Sequence, residues 1–376
     1  MDNAAITFEM NFLQLCVNRQ PMKCFHCDNC GMMVFFKNDL CIKCGHPLGF
    51  LPDVLDLSAL ETASENQWRA SSSLAQKRVY RNCANGQQYK ICNWMIPEND
   101  SNPLCAACRL NEVIPNLAEN KNLERWEKLE LAKRRCLYTF LKLGLPVENA
   151  RGGKQPSLRF RFLEDEENSP VKTGHQDGVI TVNIAEADDD EREHRRLTLH
   201  EPYRTVVGHL RHESGHFYWD RLIANSPNQK RFRELFGDET ADYDAALQNY
   251  YKQGPSADWQ GRTVTAYASS HPWEDWAETW AHYLHIMDTL ETAASFGVSV
   301  NPDNAANDAS QKISPIMFNE QMDFDKMLEG WIPLTCALNS INHGMGLSDL
   351  YPFVIPPAVV EKLRFIHQVI KSVRSN

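Results

Sequence analysis

The 376-residue chain is 43% hydrophobic and 23% charged, a globular composition with room for two or three domains and a sizeable core. No run approaches the roughly 18 apolar residues that a membrane span needs. A net charge of −10 argues against broad, backbone-driven nucleic-acid binding and leaves only a local basic patch for that role. The opening MDNAAITFEMNFLQLCVNRQPM has an acidic start, a short apolar patch and no small-residue cleavage site. It does not read as a secretory signal, and the expected location is the cytoplasm.

Twelve cysteines without such a signal point to metal or free thiols rather than disulfides. Residues 22–57 carry two CxxC knuckles, Cys27 with Cys30 and Cys41 with Cys44, each followed by a glycine (Gly31, Gly45). Such turns bring two thiolates each onto one tetrahedral zinc, and a short strand pair between them makes a zinc ribbon. Cys24 and His26 read as ordinary neighbours, because four thiolates already close the site. The Ser/Asn/Gln-rich stretch within 58–78 reads as a linker. Cys83, Cys92, Cys105 and Cys108 then suggest a second four-cysteine zinc module over 79–118. Cys16, Cys24, Cys136 and Cys336 are expected to be core thiols.

From residue 119 apolar side chains recur at helical spacing (Leu123, Trp126, Leu129, Leu137, Phe140, Leu141), and Gly144 with Pro146 close the run. LRFRFLE (158–164) and GVITVNIA (178–185) alternate as half-buried strands do. The run DDDEREHRR (188–196) reads as a solvated edge.

A helix is then expected from about Glu201, with Pro202 in its first turn, through RHESGHFYW (211–219). At 3.6 residues per turn His212 and His216 share one face and can reach one metal. Glu213 is rotated by about 100° and lies beside that metal, the place for a general base. The bland alternative is two histidines on an ordinary amphipathic helix. A third ligand is sought in AYASSHPWEDWAETWAHYLHIMD (266–288), where Pro272 starts a helix carrying Glu274 and Glu278 one turn apart, with His282 and His285 following. A glutamate ligand with a second carboxylate bracing a ligating histidine fits that spacing. HExxHxxGxxH is absent, since Trp219 and Leu222 stand where its glycine and third histidine would be.

These segments, with EPYRTVVGHLRHESGHFYWDRL and DLYPFV, resemble the bacterial zinc-binding metallopeptidases that carry an N-terminal zinc ribbon. The likeness runs from Met22 to nearly the end and leaves residues 1–21 as an extension. The site helices are also similar to the catalytic domain of anthrax lethal factor, a zincin with a glutamate third ligand and a tyrosine seven positions before it. The resemblance implies His212, His216 and Glu274 as zinc ligands, Glu278 bracing a histidine, and Tyr267 as oxyanion donor. The expected architecture is α+β: a zinc-ribbon region, then a mainly helical zincin-like domain over 119–376 with a small sheet.

The expected function is zinc-dependent hydrolysis of a protein or peptide, with one catalytic and two structural zinc ions and Glu213 as base. The strand 178–185 is the candidate edge for an extended substrate. His175, His209 and His271 are expected to be structural. Two alternatives differ in class: an interaction module whose zincin domain is inert, and a DNA-associated protease recruited through Lys77, Arg78, Arg81, Lys90 and Arg109. The last segment, from Pro357, places Val360, Leu363, Ile366 and Ile370 in a core-facing stripe.

Overall fold

A computed structural model of the chain describes residues 23–148, 156–166, 169–192, 205–302 and 316–374. The extension 1–21, Cys16, the expected helix start at Glu201 and Pro202, and the end of the 188–196 run lie outside them. The chain divides into two compact units, one of residues 1–108 with 291–297, the other of 109–290 with 298–376. The architecture is α+β, with small sheets and a mostly helical second unit.

In the first unit, β1 (Phe25–His26) and β2 (Met33–Val34) form a short antiparallel pair that flanks the first knuckle, Cys27 and Cys30, which corrects the strand pair expected between the two knuckles. Five strands follow in a single antiparallel meander: β3 (Leu48–Leu51), β4 (Asp56–Ser64), β5 (Gln67–Ala70), β6 (Val79–Asn82) and β7 (Met95–Pro97). The stretch 58–78, expected as a linker, is therefore mostly sheet. Most of its polar residues lie on the open face and at the β4–β5 turn, where Ser64 pairs with Gln67 and Asn66 takes φ 59°, a left-handed state that asparagine tolerates, while Ser58 and Ser72 are buried. Leu51, Leu60, Ala70, Tyr80 and Met95 pack as one buried cluster beneath. The short helix α1 (Ala84–Tyr89) joins β6 to β7 and begins directly after Cys83.

In the second unit, β8 (Asn111–Val113), β9 (Arg159–Leu163), β10 (Gly174–Gln176) and β11 (Val179–Asn183) form a sheet in the order β10-β11-β9-β8. β11 is parallel to β9 and antiparallel to β10. The alternation in the two expected strands is real: Phe160, Phe162, Ile180 and Val182 point inward and are buried. β11 is nonetheless paired on both sides, so the edge strands are β10 and β8 and the expected edge at 178–185 is corrected.

The long helix α2 (Asn122–Lys142) buries Trp126, Leu129, Leu137 and Phe140, whereas Leu123 is exposed. It also buries charge that no apolar pattern announces, Lys133 on Glu130 at 2.8 Å. α3 (Val206–Leu222) is capped by Thr205, whose hydroxyl accepts from the backbone N–H of Gly208 at 3.0 Å. Then come α4 (Asn228–Phe236), α5 (Tyr243–Gln253), α6 (Trp259–Arg262), α7 (Pro272–Ser295), α8 (Phe324–Gly344) and α9 (Pro357–Arg374). α9 buries Val359 in place of the expected Val360, together with Leu363, Ile366 and Ile370. Cys136 is buried, but Cys336 is exposed on α8 and is not a core thiol.

Candidate metal centre

Three groups of side chains converge as metal-ligand sets among the described residues: Cys27, Cys30, Cys41 and Cys44; Cys83, Cys92, Cys105 and Cys108; and His212, His216 and Glu274. Within each, the donor atoms lie within 4.8 Å of one another.

The first cysteine set is a local construction. Each CxxC of the first closes a tight turn, with Gly31 N–H donating to Cys27 O and Gly45 N–H to Cys41 O, both at 2.8 Å. Across the set, Cys27 Sγ lies 3.6 Å from Cys44 Sγ, and Cys30 Sγ 3.6 Å from Cys41 Sγ. The backbone N–H of His46 reaches Cys44 and holds its thiol down at about 5, a stabilised thiolate of the kind zinc takes. Cys24 stands outside the set, its Sγ 3.5 Å from Met33 Sδ, and His26 is exposed, as expected. In the second set Cys92 and Cys105 approach to 3.7 Å, and the Cys105 N–H donates to Cys83 Sγ at 3.4 Å. The sulfurs here come from the ends of β6 and β7 and from the turn at 105–108, which is why only one CxxC marks the site.

The third group is assembled by two helices that cross closely. Gly215, between the two histidines of α3, has no room for a side chain: a Cβ there would sit 2.7 Å from Ala277 Cα on α7. Two indoles of α7 fasten the crossing, Trp276 Nε1 donating to Gly215 O at 2.9 Å and Trp280 Nε1 to Ser214 Oγ at 3.1 Å. Both rings are fully buried, and each such aromatic removes on the order of 150–250 Å² from water. The crossing brings the first turn of α7 against the histidine face of α3. Glu274 Oε2 then lies 3.0 Å from His212 Nε2, and Oε1 3.5 Å from His216 Nε2.

Glu274 Oε2 is buried without an aligned hydrogen bond, although it sits at ion-pair distance from His212. Close approach without alignment is what donors aimed at a common ion produce. Burial opposes charge on His212, yet Glu274 and Glu278 overcome it and push its pKa well above the ordinary value. Burial likewise opposes the Glu274 anion, and His216 and His212 hold it well below the usual carboxylate range. The pocket favours positive charge between these side chains, so the donor set fits a divalent ion.

The surrounding contacts orient the donors. Glu278 Oε1 accepts from His212 Nδ1 at 2.6 Å, and its other oxygen accepts from Thr265 Oγ1 at 2.7 Å. This locks the His212 ring with Nε2 toward Glu274, the arrangement found around ligating histidines. Trp273 packs edge-on against His216 with centroids 5.2 Å apart. Glu213 is partly exposed beside the group and forms no hydrogen bond or ion pair with a described residue. Tyr267 lies 6.1 Å from His212, centroid to centroid. Burial and the negative charge of Glu274 raise its phenol far above the ordinary value, so it stays a proton donor.

One side chain here carried no signal in the sequence. Tyr243, on α5, donates its hydroxyl to Glu274 Oε1 at 2.6 Å. Neither a motif nor a periodicity marks it; only the Asp242 cap of its helix could have placed it at a helix start. The remaining histidines have other partners. His271 caps α7, its Nδ1 accepting from the Trp273 N–H at 3.1 Å. His209 faces Glu186 at 3.4 Å, and His175 Nε2 accepts from the Gly178 N–H at 3.1 Å. His282 Nδ1 bonds the Tyr351 hydroxyl at 2.6 Å, and His285 pairs with Arg211.

Two helices holding a histidine pair and a glutamate, with cysteine quartets upstream, offer donor sets that suit a zinc-binding protein with a zinc-ribbon region. The chain belongs to the family described as "putative zinc-binding metallo-peptidase", whose family model matches residues 122–369, and a zinc-ribbon domain model matches 24–119. Uncharacterized proteins of Mycobacterium tuberculosis and Mycobacterium bovis are each 42% identical to it over 353 residues, 94% of this chain and 96% of theirs. No solved structure matches it significantly. Membership of that family supports a zinc-dependent peptidase at the family level. No helix among the described residues is long and apolar enough to cross a membrane.

Proposed function

We propose that the chain hydrolyses peptide bonds of a protein or peptide substrate, with His212, His216 and Glu274 holding one catalytic zinc and the cysteine quartets holding two structural ones. The observation that carries this reading is the convergence of the two imidazoles and Glu274, braced by Glu278, beside an uncommitted carboxylate. Zinc bound there supplies Lewis acidity, polarising a carbonyl and lowering the pKa of a water toward neutrality. Glu213, without a hydrogen bond or ion pair among the described residues, accepts the proton of the attacking water and returns it to the leaving amine as the C–N bond breaks. Tyr267, held protonated, donates a hydrogen bond to the oxyanion as the carbonyl rehybridises.

The cysteine quartets support folding rather than chemistry, because four sulfurs leave no open position. Two of the basic residues that a nucleic-acid role would need are already engaged: Arg78 pairs with Asp53, and Arg81 donates to the carbonyl of Asp100.

The test is Glu213→Gln. Zinc content should stay at the wild-type value by elemental analysis, while cleavage of a peptide library falls by roughly 10²–10⁴-fold. Full activity in a zinc-replete Glu213→Gln protein sinks the mechanism. Retention of all zinc in His216→Ala and Glu274→Ala sinks the site.

A further inference from the structure

The segment between α4 and α7 is a separate piece of machinery. Its central helix, α5, runs eleven residues from Tyr243 to Gln253 without one buried residue. It is bracketed by Gly237 (φ 107°, ψ −170°) and Gly254 (φ 83°, ψ −175°), backbone states that glycine adopts and side-chain-bearing residues avoid. A helix with no core face of its own, entered and left through such joints, is held by its contacts and not by burial.

Two of those contacts reach the metal centre. Tyr243 donates to Glu274 Oε1 at 2.6 Å and packs on His271 and Trp273, with centroids 5.2 and 6.0 Å away. One helical span further on, Tyr250 meets Tyr267 edge-on at 5.7 Å. The same helix thus touches the metal-holding carboxylate and the candidate oxyanion donor.

We propose that Tyr243 is a positioning residue that latches α5 onto Glu274, so that α5 is a lid whose closure and the retention of the catalytic zinc are coupled. This rests on Glu274 being a zinc ligand. The Tyr243 hydroxyl occupies one carboxylate oxygen and leaves the other to face the metal. Reciprocally, an ion that fixes Glu274 fixes the acceptor on which the lid closes. By linkage, whatever tightens one tightens the other. Opening at the two glycines uncovers Tyr267 and Glu274 together, which gives an extended substrate access to the site.

The test is Tyr243→Phe in the full chain, which keeps the ring and removes only the hydroxyl. Two readouts are taken: competition for the most labile zinc with a chromogenic chelator, and amide hydrogen exchange of residues 243–253 with that zinc present and removed. The expected result is a zinc affinity about 10-fold weaker than wild type, together with loss of the zinc-dependent slowing of exchange that α5 shows in wild type. A residue that merely packs would leave the zinc dependence of exchange in place. If either readout of Tyr243→Phe matches wild type, the latch is overturned. Glu274→Gln serves as the separate check on the underlying assignment: if it retains the labile zinc, Glu274 is not a ligand and the latch falls with that assignment. If it loses the zinc while Tyr243→Phe behaves as wild type, only the latch fails.

Discussion

The cysteine quartets and the histidine–glutamate group are both convergences of metal donors, yet they are built in opposite ways. In the first quartet each donor pair comes from one turn of backbone, and hydrogen bonds from Gly31 and Gly45 set it before anything distant is involved. In the other group two donors come from α3 and the third from α7, with the whole segment 217–273 between them, and nothing local brings Glu274 to His216. Its geometry depends on a tight helix crossing at Gly215, two indole hydrogen bonds, and braces from Glu278 and Tyr243. A metal site made of turns is secured by its metal; one made of crossing helices is secured by packing and can leave a position open for chemistry.

The largest effect should come from breaking a quartet. In Cys105→Ser one zinc should be lost by elemental analysis, and the fold around the second quartet should go with it. Structural zinc carries roughly 10–16 kcal/mol of binding free energy that is also folding free energy. Circular dichroism and protease sensitivity should show residues 23–108 loosened while the helices of the second unit persist. A zinc-complete, folded Cys105→Ser protein would refute the contrast.

Glu278→Gln tests the brace. The amide keeps the shape but removes the charge that orients His212, and the affinity for the labile zinc should drop by roughly 10–100-fold while both quartets stay filled. Chelator competition reads this directly, and an unchanged affinity would mean that the 2.6 Å contact does nothing for the metal.

Gly215→Ala sharpens the packing half of the comparison. The added methyl group meets the α7 backbone, not a flexible side chain, so the helices must part, at a cost of about 1–3 kcal/mol. Thermal denaturation should show the loss, and the weaker third site should release zinc before the quartets do.

The smallest effect is a slope in pH. Burial pushes the His367 imidazole down to about 4, where its Nδ1 bonds the Tyr283 hydroxyl at 2.9 Å. The unfolded chain takes up this proton near the ordinary value of about 6.5 and the folded chain only near 4. The stabilisation is therefore complete above about pH 6.5 and is lost as pH falls toward 4. In His367→Gln, urea midpoints measured between pH 7 and 4.5 should fall less steeply, by up to about one proton. An identical slope would mean that His367 is not held neutral.

How much of this was legible depended on the distance over which the cause acts. RHESGHFYW on α3, the pairing of Glu274 with Glu278 on α7, the eight quartet cysteines and the alternation of β9 and β11 follow from spacing along one chain segment. That spacing survives folding, because 3.6 residues per turn and the two-residue strand period are backbone geometry. Composition misled at 58–78, where polar residues on an open sheet face look like a linker. It gave no sign of Lys133 and Glu130, a buried ion pair on α2.

The sequence by itself determined which residues can bind metal, which helices carry them, and which family the chain resembles, since those are properties of local spacing and residue type. Only the tertiary structure decided that β10 and β8, not β11, are the edge strands, that Gly215 is the point where α3 and α7 meet, and that Tyr243 bonds Glu274. Each of these is a contact between residues far apart in the chain, and its free energy exists only once both partners are in place.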